Sequence, residues 1–550
     1  MDSIKIGRIS ATEKAPTSCD EFIFWLEDSQ KISPFDIIKV ENNIGDFKSV
    51  TYGVIQDIFH ITDSHGHLSN YISSDFGDVN SDGLTQKLGL SFAKVSVIHN
   101  DHENYMPVRD GAPVFTANEE DIKKALGLDI IPKEKAIPAG VLRSSTGVNV
   151  PINYSSDFLV GPEGAHINIS GISGLATKTS YAMFLLQAIQ QKVEDVATII
   201  INVKGDDLLR LHEPNEKFNT LQHRELWGKA GLEYKPFENV KYFYPYKKSK
   251  GFPFSLTALS AESLTQQFKD QIAYNFVYTY EHDCSKLDLL FSNIDDPNFT
   301  IESILNFIAD SPDFEELHWD TFKDKLAEYT SKEERKKKSN KDIPIQSWWK
   351  FKRLITNSIN YDIFQKSISN DKEKRQRHLS DQIQEIESGN TYVVDIAKLD
   401  EQLQCLVFGD IIKAVYGLKH GEVDRNNIPK RIVIFVDELN KYAPNTSPKG
   451  SPILNYLLEI TERGRSEGVI LFSAEQFKSA VHDRVKGNCS THVYGRTNAI
   501  EISKPDYRYI PNVFSNMMTR IGKGDLIIQH PLFKTLLKIR FPYPSYRQGA

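Results

Sequence analysis

Cysteine is scarce in this sequence, and so are the patterns that build a disulfide scaffold or a zinc module. The 550 residues include four cysteines, far apart and without a Cys-x-x-Cys pair. His282 lies near Cys284 and His492 near Cys489, but isolated pairs fall short of the four ligands that a structural zinc needs. We therefore expect neither disulfides nor structural zinc.

Long apolar runs are also missing. None approaches the roughly 20 residues that span a bilayer, and the first seven residues lack a charged segment followed by an apolar one. These absences predict a protein of the reducing cytoplasm with no membrane partner.

Positive charge is not in excess. Lys and Arg number 66 against 73 Asp and Glu, which gives a net charge of −7. The overall charge of the chain therefore does not indicate binding to nucleic acid or to an anionic membrane. Any DNA contact must come from a local patch, and the candidates are the basic runs at 336–338 and 374–377. Neighbouring glutamates leave a merely solvated surface as the alternative for both runs.

The composition is that of a globular protein, with 40% hydrophobic and 25% charged residues. At roughly 150 residues per domain the length predicts about three units. Short extended segments predict an N-terminal β-barrel, with a helix at 119–126 capped by Asn118, and amphipathic stretches at 264–278 and 314–329 predict a helical insertion. The predicted regions are a β-barrel at 1–115, a linker and lead-in at 116–160, a core at 161–250 and 389–550 with a C-terminal extension, and a helical insertion at 251–388.

The core has the pattern of an α/β domain. Apolar, β-branched runs at 196–203, 432–436 and 469–472 have the length of buried parallel strands. Because they alternate with helical segments, they predict a doubly wound sheet.

A glycine-containing loop follows the first predicted core strand and opens a helix. The segment 171–179 reads Gly-Ile-Ser-Gly-Leu-Ala-Thr-Lys-Thr, and it offers glycines for a phosphate cradle, a lysine for phosphate charge and a hydroxyl for Mg²⁺. Five residues separate Gly171 from Thr177, where the usual pattern has four residues before a second glycine. An ordinary turn that opens a helix is the alternative. The predicted nucleotide-binding residues are Gly171, Ser173, Gly174, Thr177, Lys178, Thr179 and Ser180.

A second signal makes the nucleotide interpretation stronger. The apolar strand that begins at Arg431 ends in Asp437 and Glu438. An aspartate there can hold Mg²⁺ with Thr179, and a glutamate there can polarise an attacking water. Together, the loop and the acidic pair predict an enzyme that hydrolyses ATP with Mg²⁺.

Two further elements fit this prediction. Arg463 and Arg465 follow a helix and can reach a γ-phosphate across a subunit boundary, although cations that favour a helix C-terminus are an equal alternative. Gln476 ends the next strand, where it can sense γ-phosphate and orient water. A polar strand end is the alternative for Gln476.

These motifs, in this order, resemble the HerA-like ATPases, which belong with FtsK-type translocases. The resemblance rests on the β-barrel, the 166–174 loop, Lys204-Gly205-Asp206, Asp437-Glu438 with Tyr442-Ala443-Pro444, Arg463-Gly464-Arg465 and Ala474-Glu475-Gln476.

The resemblance implies a homo-hexameric ring with an N-terminal HAS-barrel, a RecA-like core and an inserted helical bundle. It also implies double-stranded DNA or a protein partner at the ring axis, and an effector such as a nuclease or a sirtuin-like NADase in phage defence. Carried over by motif, Lys178 and Thr179 bind phosphate and Mg²⁺, Asp437 is the Walker B acid and Glu438 the catalytic glutamate. By the same transfer, Gln476 is the sensor and Arg463 or Arg465 the arginine finger.

The chain departs from the family pattern at Thr177. A β-branched residue does not easily adopt a positive φ, so the loop must follow another path and nucleotide binding or turnover is expected to be weak. Three functions remain open: a ring ATPase that acts with an effector, a DNA-translocating motor without a defence role, and a nucleotide-gated scaffold with little turnover. A metabolic nucleotide enzyme is disfavoured because no second set of catalytic residues is evident.

Overall fold

The computed structural model describes residues 3–44, 47–80, 88–172, 177–218, 220–296, 298–335, 343–421, 425–446, 448 and 450–549. The chain divides into two compact units, Met1–Tyr154 with Tyr507–Arg540 and Ser155–Asp506 with Phe541–Ala550. Within the described ranges, none of the helices has the length and apolar character that crossing a membrane requires.

The strands are β1 (Lys5–Ile9), β2 (Glu21–Leu26), β3 (Ile37–Ile44), β4 (Phe47–Thr62), β5 (Gly89–Asn100), β6 (Pro113–Thr116), β7 (Ala136–Arg143), β8 (Asn149–Ser155), β9 (Ile167–Ser170), β10 (Val196–Asn202), β11 (Val240–Pro245), β12 (Ala273–Phe276), β13 (Tyr278–Thr279), β14 (Phe364–Gln365), β15 (Gln376–Arg377), β16 (Thr391–Asp395), β17 (Arg431–Asp437), β18 (Val469–Glu475), β19 (Thr491–Tyr494), β20 (Asp525–Gln529) and β21 (Leu537–Arg540). The α-helices are α1 (His67–Ser73), α2 (Glu119–Leu126), α3 (Ser156–Leu159), α4 (Thr177–Lys192), α5 (Leu221–Lys229), α6 (Ala261–Lys269), α7 (Tyr280–Asp283), α8 (Thr300–Asp310), α9 (Trp319–Thr330), α10 (Lys332–Arg335), α11 (Ile345–Ile359), α12 (Leu379–Gln384), α13 (Glu401–Lys419), α14 (Pro452–Glu467), α15 (Asp483–Gly487), α16 (Ala499–Ile502) and α17 (Asn512–Met518). A longer 3₁₀ segment, Cys284–Phe291, follows α7.

A closed antiparallel barrel forms the first part of the first unit, in the strand order β1-β2-β5-β4-β3-β6. Alternate residues point inward, so that Ile6, Phe24, Val40 and Val95 are buried together. The pairing of β4 with β5 shifts register at two places, and such bulges bend strands as barrel closure requires. The predicted N-terminal barrel is confirmed.

The helix predicted after the barrel is also confirmed, as α2. The side chain of Asn118 accepts a 2.9 Å hydrogen bond from the backbone N–H of Asp121, which satisfies a donor that the first helical turn leaves free. Gly127 ends α2 in the left-handed conformation, with a φ of 73°.

The remaining strands of the first unit come from distant parts of the sequence. The segment predicted as a linker, 116–160, contains α2, β7 and β8, and the segment 507–540, predicted to extend the core, belongs to this unit. β21 pairs antiparallel with β20 and with β7. The pairing of β21 with β7 leaves no local sequence pattern, because these two strands are hundreds of residues apart.

The second unit is built on a parallel sheet in the order β15-β12-β11-β16-β10-β17-β18-β9-β19. The central strands are buried on both faces, which explains their continuous apolar runs. β18 lies between β9, which leads into the glycine loop, and β17, which ends in Asp437. The predicted fold class, a RecA-like α/β core preceded by a small β-barrel, is confirmed.

A helical region leaves this sheet after β12 and returns at β15. Trp319, Phe322, Tyr329 and Trp348 from α9 and α11 pack in the same apolar cluster as the sheet residues. The helix predicted over 264–278 is wrong beyond Lys269, where α6 ends and the short strand β12 follows. A strand of four residues is too short for its period to be read from the sequence.

Candidate active site

The glycine loop begins at the carboxyl end of β9. Gly171 has a φ of 155°, and a Cβ at this position would lie 3.1 Å from the carbonyl oxygen of Arg496. The N–H of Gly171 donates to the Glu475 carbonyl at 3.2 Å, and that of Ile172 donates to the Arg496 carbonyl at 2.7 Å. These two amides are therefore bonded within the protein, and glycine is required because the backbones approach closely.

Two predicted phosphate ligands, Ser173 and Gly174, lie outside the described residues. Thr177 is the first residue of α4, so its conformation is helical and the positive φ that a glycine usually supplies is not needed there. Ser180 lies one turn further along and accepts a 3.3 Å hydrogen bond from the side chain of Gln548.

Lys178 is a buried cation at the start of α4. It is 4% exposed, and its Nζ has no hydrogen-bond partner among the residues that the structure describes. This Nζ lies 3.9 Å from the carboxylate oxygen Oε1 of Glu438. Burial lowers the pKa of Lys178, and the charges of Asp437 and Glu438 oppose this effect. A buried ammonium of this kind needs acceptors, and phosphate oxygens would provide them.

An acidic pair lies beside Lys178 at the end of β17. Asp437 is buried, and its Oδ2 is 3.5 Å from Oγ1 of Thr179. The other carboxylate oxygen, Oδ1, is buried without a partner in the described structure. A hydroxyl next to a carboxylate is the oxygen set that Mg²⁺ prefers, so Thr179 and Asp437 fit this metal.

Glu438 has an unusual backbone conformation for its residue type. Its φ of 60° and ψ of 50° are left-handed, and its N–H donates to the carbonyl of Ala474 at 2.6 Å. Such conformations cost energy and persist where the surroundings impose them, often at functional sites. Here the turn directs the carboxylate back to Lys178 and Gln476.

The charge state of Glu438 is set by its neighbours. Burial acts to raise its pKa, but Lys178, the amide of Gln476 and Lys204 together lower it below the usual value. Gln476 Nε2 donates to Glu438 Oε1 at 3.1 Å. The carboxylate is therefore ionised at neutral pH and oriented by Gln476.

Lys204 also belongs to the site, although no motif in the sequence assigned it a role. Its Nζ lies 3.0 Å from Asp437 Oδ2 and 3.3 Å from Glu438 Oε1. Burial acts to lower its pKa, but the two carboxylates outweigh this effect and the pKa is raised. Asn202 holds the turn that carries Lys204, through a 3.0 Å hydrogen bond to the carbonyl of Gly205. The sequence does carry a signal for this residue, since Lys204 directly follows the apolar run at 196–203.

Glu475 is a second residue that the sequence analysis did not assign. It is fully buried at the end of β18, its Oε1 accepts a hydrogen bond from the amide of Asn168, and its Oε2 has no partner within the described residues. Burial raises its pKa to about 8. This side chain is therefore protonated at neutral pH. It lies under the start of the glycine loop, since its carbonyl accepts from Gly171.

The two predicted finger arginines are not part of this cluster. Arg463 and Arg465 are exposed on the last turns of α14, and Arg465 donates to the carbonyl of Glu163 at 3.1 Å. They precede the first residue of β18, whereas Gln476 follows its last. A seven-residue strand is about 23 Å long. The arginines therefore lie at the amino-terminal ends of the parallel strands, and the acidic pair lies at their carboxyl-terminal ends.

Close packing of α14 against β18 explains the glycine between the two arginines, Gly464. A Cβ at Gly464 would lie 2.5 Å from the carbonyl oxygen of Val469, so α14 can approach β18 closely only because residue 464 has no side chain.

No protein-family model matches the chain, and no curated protein matches it. Solved structures do, at low sequence identity. VirB4 of Thermoanaerobacter pseudethanolicus is 11% identical, and the match covers 75% of this chain and 97% of that chain with a TM-score of 0.42. The unbound bacterial conjugative coupling protein TrwBdeltaN70 is 10% identical, with coverages of 78% and 94% and a TM-score of 0.42. The genome packaging NTPase B204 of Sulfolobus turreted icosahedral virus 2, in complex with ATP-gammaS, is 15% identical over 30% of this chain and 72% of that chain, with a TM-score of 0.23.

Proposed function

We propose that this chain is an ATPase that binds ATP with Mg²⁺ and hydrolyses it. The observation that carries the proposal is the buried ammonium of Lys178, which has no hydrogen-bond partner in the described structure and lies beside Asp437 and Glu438. Burying a charge without acceptors is costly, and the phosphates of a nucleotide would remove that cost.

The neighbouring side chains have complementary roles in this proposal. Lys178 would neutralise the phosphates, and Thr179 and Asp437 would hold Mg²⁺. When bound, ATP supplies the phosphoanhydride bond and Mg²⁺ screens the phosphate charge. The other proposed nucleotide contacts are Gly171, Ser173, Gly174, Thr177 and Ser180.

Glu438 is the proposed general base. Its lowered pKa keeps it ionised, so that it can accept a proton from a water aligned with the γ-phosphate. Gln476, already bonded to Glu438 Oε1, fixes the carboxylate and can orient the same water.

We propose that the chain assembles as a homo-hexameric ring in the cytoplasm, with Arg463 or Arg465 acting on the site of a neighbouring subunit. The exposure of both arginines at the edge of the sheet opposite to the acidic pair supports this role. The resemblance to HerA-like ATPases supports an effector partner, a nuclease or sirtuin-like NADase, in antiphage defence and DNA processing, with double-stranded DNA at the axis. The acidic net charge favours a protein partner.

The full chain, purified and assayed with Mg²⁺ and ATP, tests the activity. We expect turnover that Glu438→Gln removes, together with ring-sized particles in sedimentation experiments. Turnover equal in the two proteins would contradict the assignment of Glu438, and a monomer at all concentrations with ATP would contradict the ring.

A nucleotide-gated scaffold with little turnover is the second candidate. The contacts of Lys204 with both acids favour it, because this ammonium competes for the position of Mg²⁺. Assembly that requires ATP, with negligible hydrolysis, would identify the scaffold. Turnover stimulated several-fold by duplex DNA would instead identify a DNA-translocating motor.

A further inference from the structure

Two histidines and an aspartate meet where the helical region leaves the sheet of the second unit and returns to it. His282 and Asp283 end α7, and His378 directly follows β15. A ring nitrogen of each histidine and a carboxylate oxygen lie within 4.8 Å of one another. The distance from His282 Nδ1 to Asp283 Oδ1 is 2.9 Å, and from His378 Nδ1 to Asp283 Oδ2 it is 3.5 Å.

The outer nitrogen of His282 has its own partner. Nε2 lies 3.0 Å from Oδ1 of Asp381, and a carboxylate at this position keeps a proton on Nε2. The other ring nitrogen, Nδ1, faces a carboxylate oxygen of Asp283 at 2.9 Å, where either a ring proton or a metal ion can bridge the two atoms. His378 Nδ1 is buried and makes no hydrogen bond in the described structure.

The charged side chains around this cluster have a negative net charge. Lys286 Nζ lies 2.7 Å from Asp283 and 2.8 Å from Asp410. With Asp381 included, three carboxylates face one ammonium, so the cluster carries a net charge of −2 when both imidazoles are neutral. A divalent metal ion balances this charge.

We infer that His282, Asp283 and His378 bind a divalent transition metal of the zinc type, with Asp381 as the outer partner of His282. Imidazole and carboxylate donors suit Zn²⁺, and ligand distances near 2.0–2.1 Å place the donor atoms of a tetrahedral site roughly 3.3 Å apart. The separations of 2.9 Å and 3.5 Å lie on either side of this value. The imidazole rings are stacked, with centroids 3.9 Å apart, so binding must tilt them until both lone pairs point at the metal.

Such a metal would fasten both ends of the helical region to one edge of the sheet. The sequence alone argues against structural zinc, because His282 and Cys284 are an isolated pair. The structure brings in a second histidine from far along the chain, which the local spacing could not reveal.

Calorimetric titration of ZnCl₂ into the full chain, stripped with EDTA and held in excess Mg²⁺ without nucleotide, tests the site. We expect one zinc per chain, loss of binding in His282→Ala and in His378→Ala, and 10–100-fold weaker binding in Asp381→Asn. His420→Ala is the matched control. Among the described residues His420 pairs with one carboxylate, that of Glu467 at 3.2 Å, so this variant should leave zinc binding unchanged.

Cobalt gives an independent readout. Co²⁺ bound in a four-coordinate site of this kind should produce visible absorption that Zn²⁺ displaces, and His378→Gln, which keeps a polar side chain of similar size, should abolish it if the alanine variants fail to fold. A chain that binds no zinc, or whose zinc binding survives both histidine changes, overturns the inference. The first of these outcomes would mean that protons balance the cluster.

Discussion

The amide of Gln476 donates a 3.1 Å hydrogen bond to the carboxylate of Glu438. The two residues directly follow the neighbouring parallel strands β17 and β18, and their side chains meet at the end of the sheet where β9 also ends. The hydrogen bond stabilises the ionised form of Glu438, which is the form that a general base requires.

Glu438→Gln should lower ATP turnover by about 10²–10⁴-fold, the usual contribution of a general base. ATP affinity should change little, because Lys178 and Thr179 remain. Turnover and equilibrium binding of labelled ATP are the two measurements. Glu459→Gln, an exposed change on α14, is the control and should leave both unaltered.

Lys178→Ala should weaken ATP binding by about 10–100-fold, since a hydrogen bond to a charged group contributes roughly 1.5–3 kcal/mol. Calorimetry of ATP with Mg²⁺ measures the change. Lys192→Ala removes an exposed lysine from the other end of the same helix and should bind ATP normally. Equal affinity in both variants would exclude Lys178 as a phosphate ligand.

Arg463→Ala combined with Arg465→Ala should abolish turnover while each chain keeps its own acidic pair. Mixing this double variant with Lys178→Ala should restore part of the activity, because some interfaces then combine an intact phosphate site with an intact arginine pair. Each variant alone, at the same total concentration, is the control. If no mixing ratio restores activity, the arginines do not act between subunits.

Lys204→Ala should shift the Mg²⁺ dependence of turnover to lower concentration. The lysine side chain is about half exposed, so its pairs with the acids are worth about 1 kcal/mol. That value corresponds to about a fivefold lower half-saturating concentration of Mg²⁺. A higher Mg²⁺ requirement would show instead that Lys204 helps to form the site.

Glu475 should make stability depend on pH. Its folded pKa is raised to about 8 above an unfolded value near 4.3, so its contribution is greatest below pH 4.3 and is lost as the pH rises to 8. The loss approaches 1.4 kcal/mol per pH unit within this window. Glu475→Gln should flatten the fall in melting temperature between pH 5.5 and 8.5. An unchanged slope would mean that Glu475 is ionised in the folded chain.

The sequence was most informative where burial is complete. β10, β17 and β18 are covered on both faces, so their apolar runs were visible, and Asn118 marked the start of α2 through its capping side chain. β12 and β15 were missed because strands of two to four residues show no period. Lys204 and Glu475 were missed as site residues because their partners are on other strands, and only the strand order brings them to Glu438 and Gly171.

The backbone at the end of β18 is hydrogen-bonded both to Glu438 and to Gly171. The carbonyl of Ala474 accepts from the N–H of Glu438, and the next carbonyl, that of Glu475, accepts from the N–H of Gly171. Glu438 and the start of the glycine loop are thus hydrogen-bonded to adjacent peptide units of one strand. Because of these two hydrogen bonds, a shift of β18 along its axis must move Glu438 and the start of the glycine loop together.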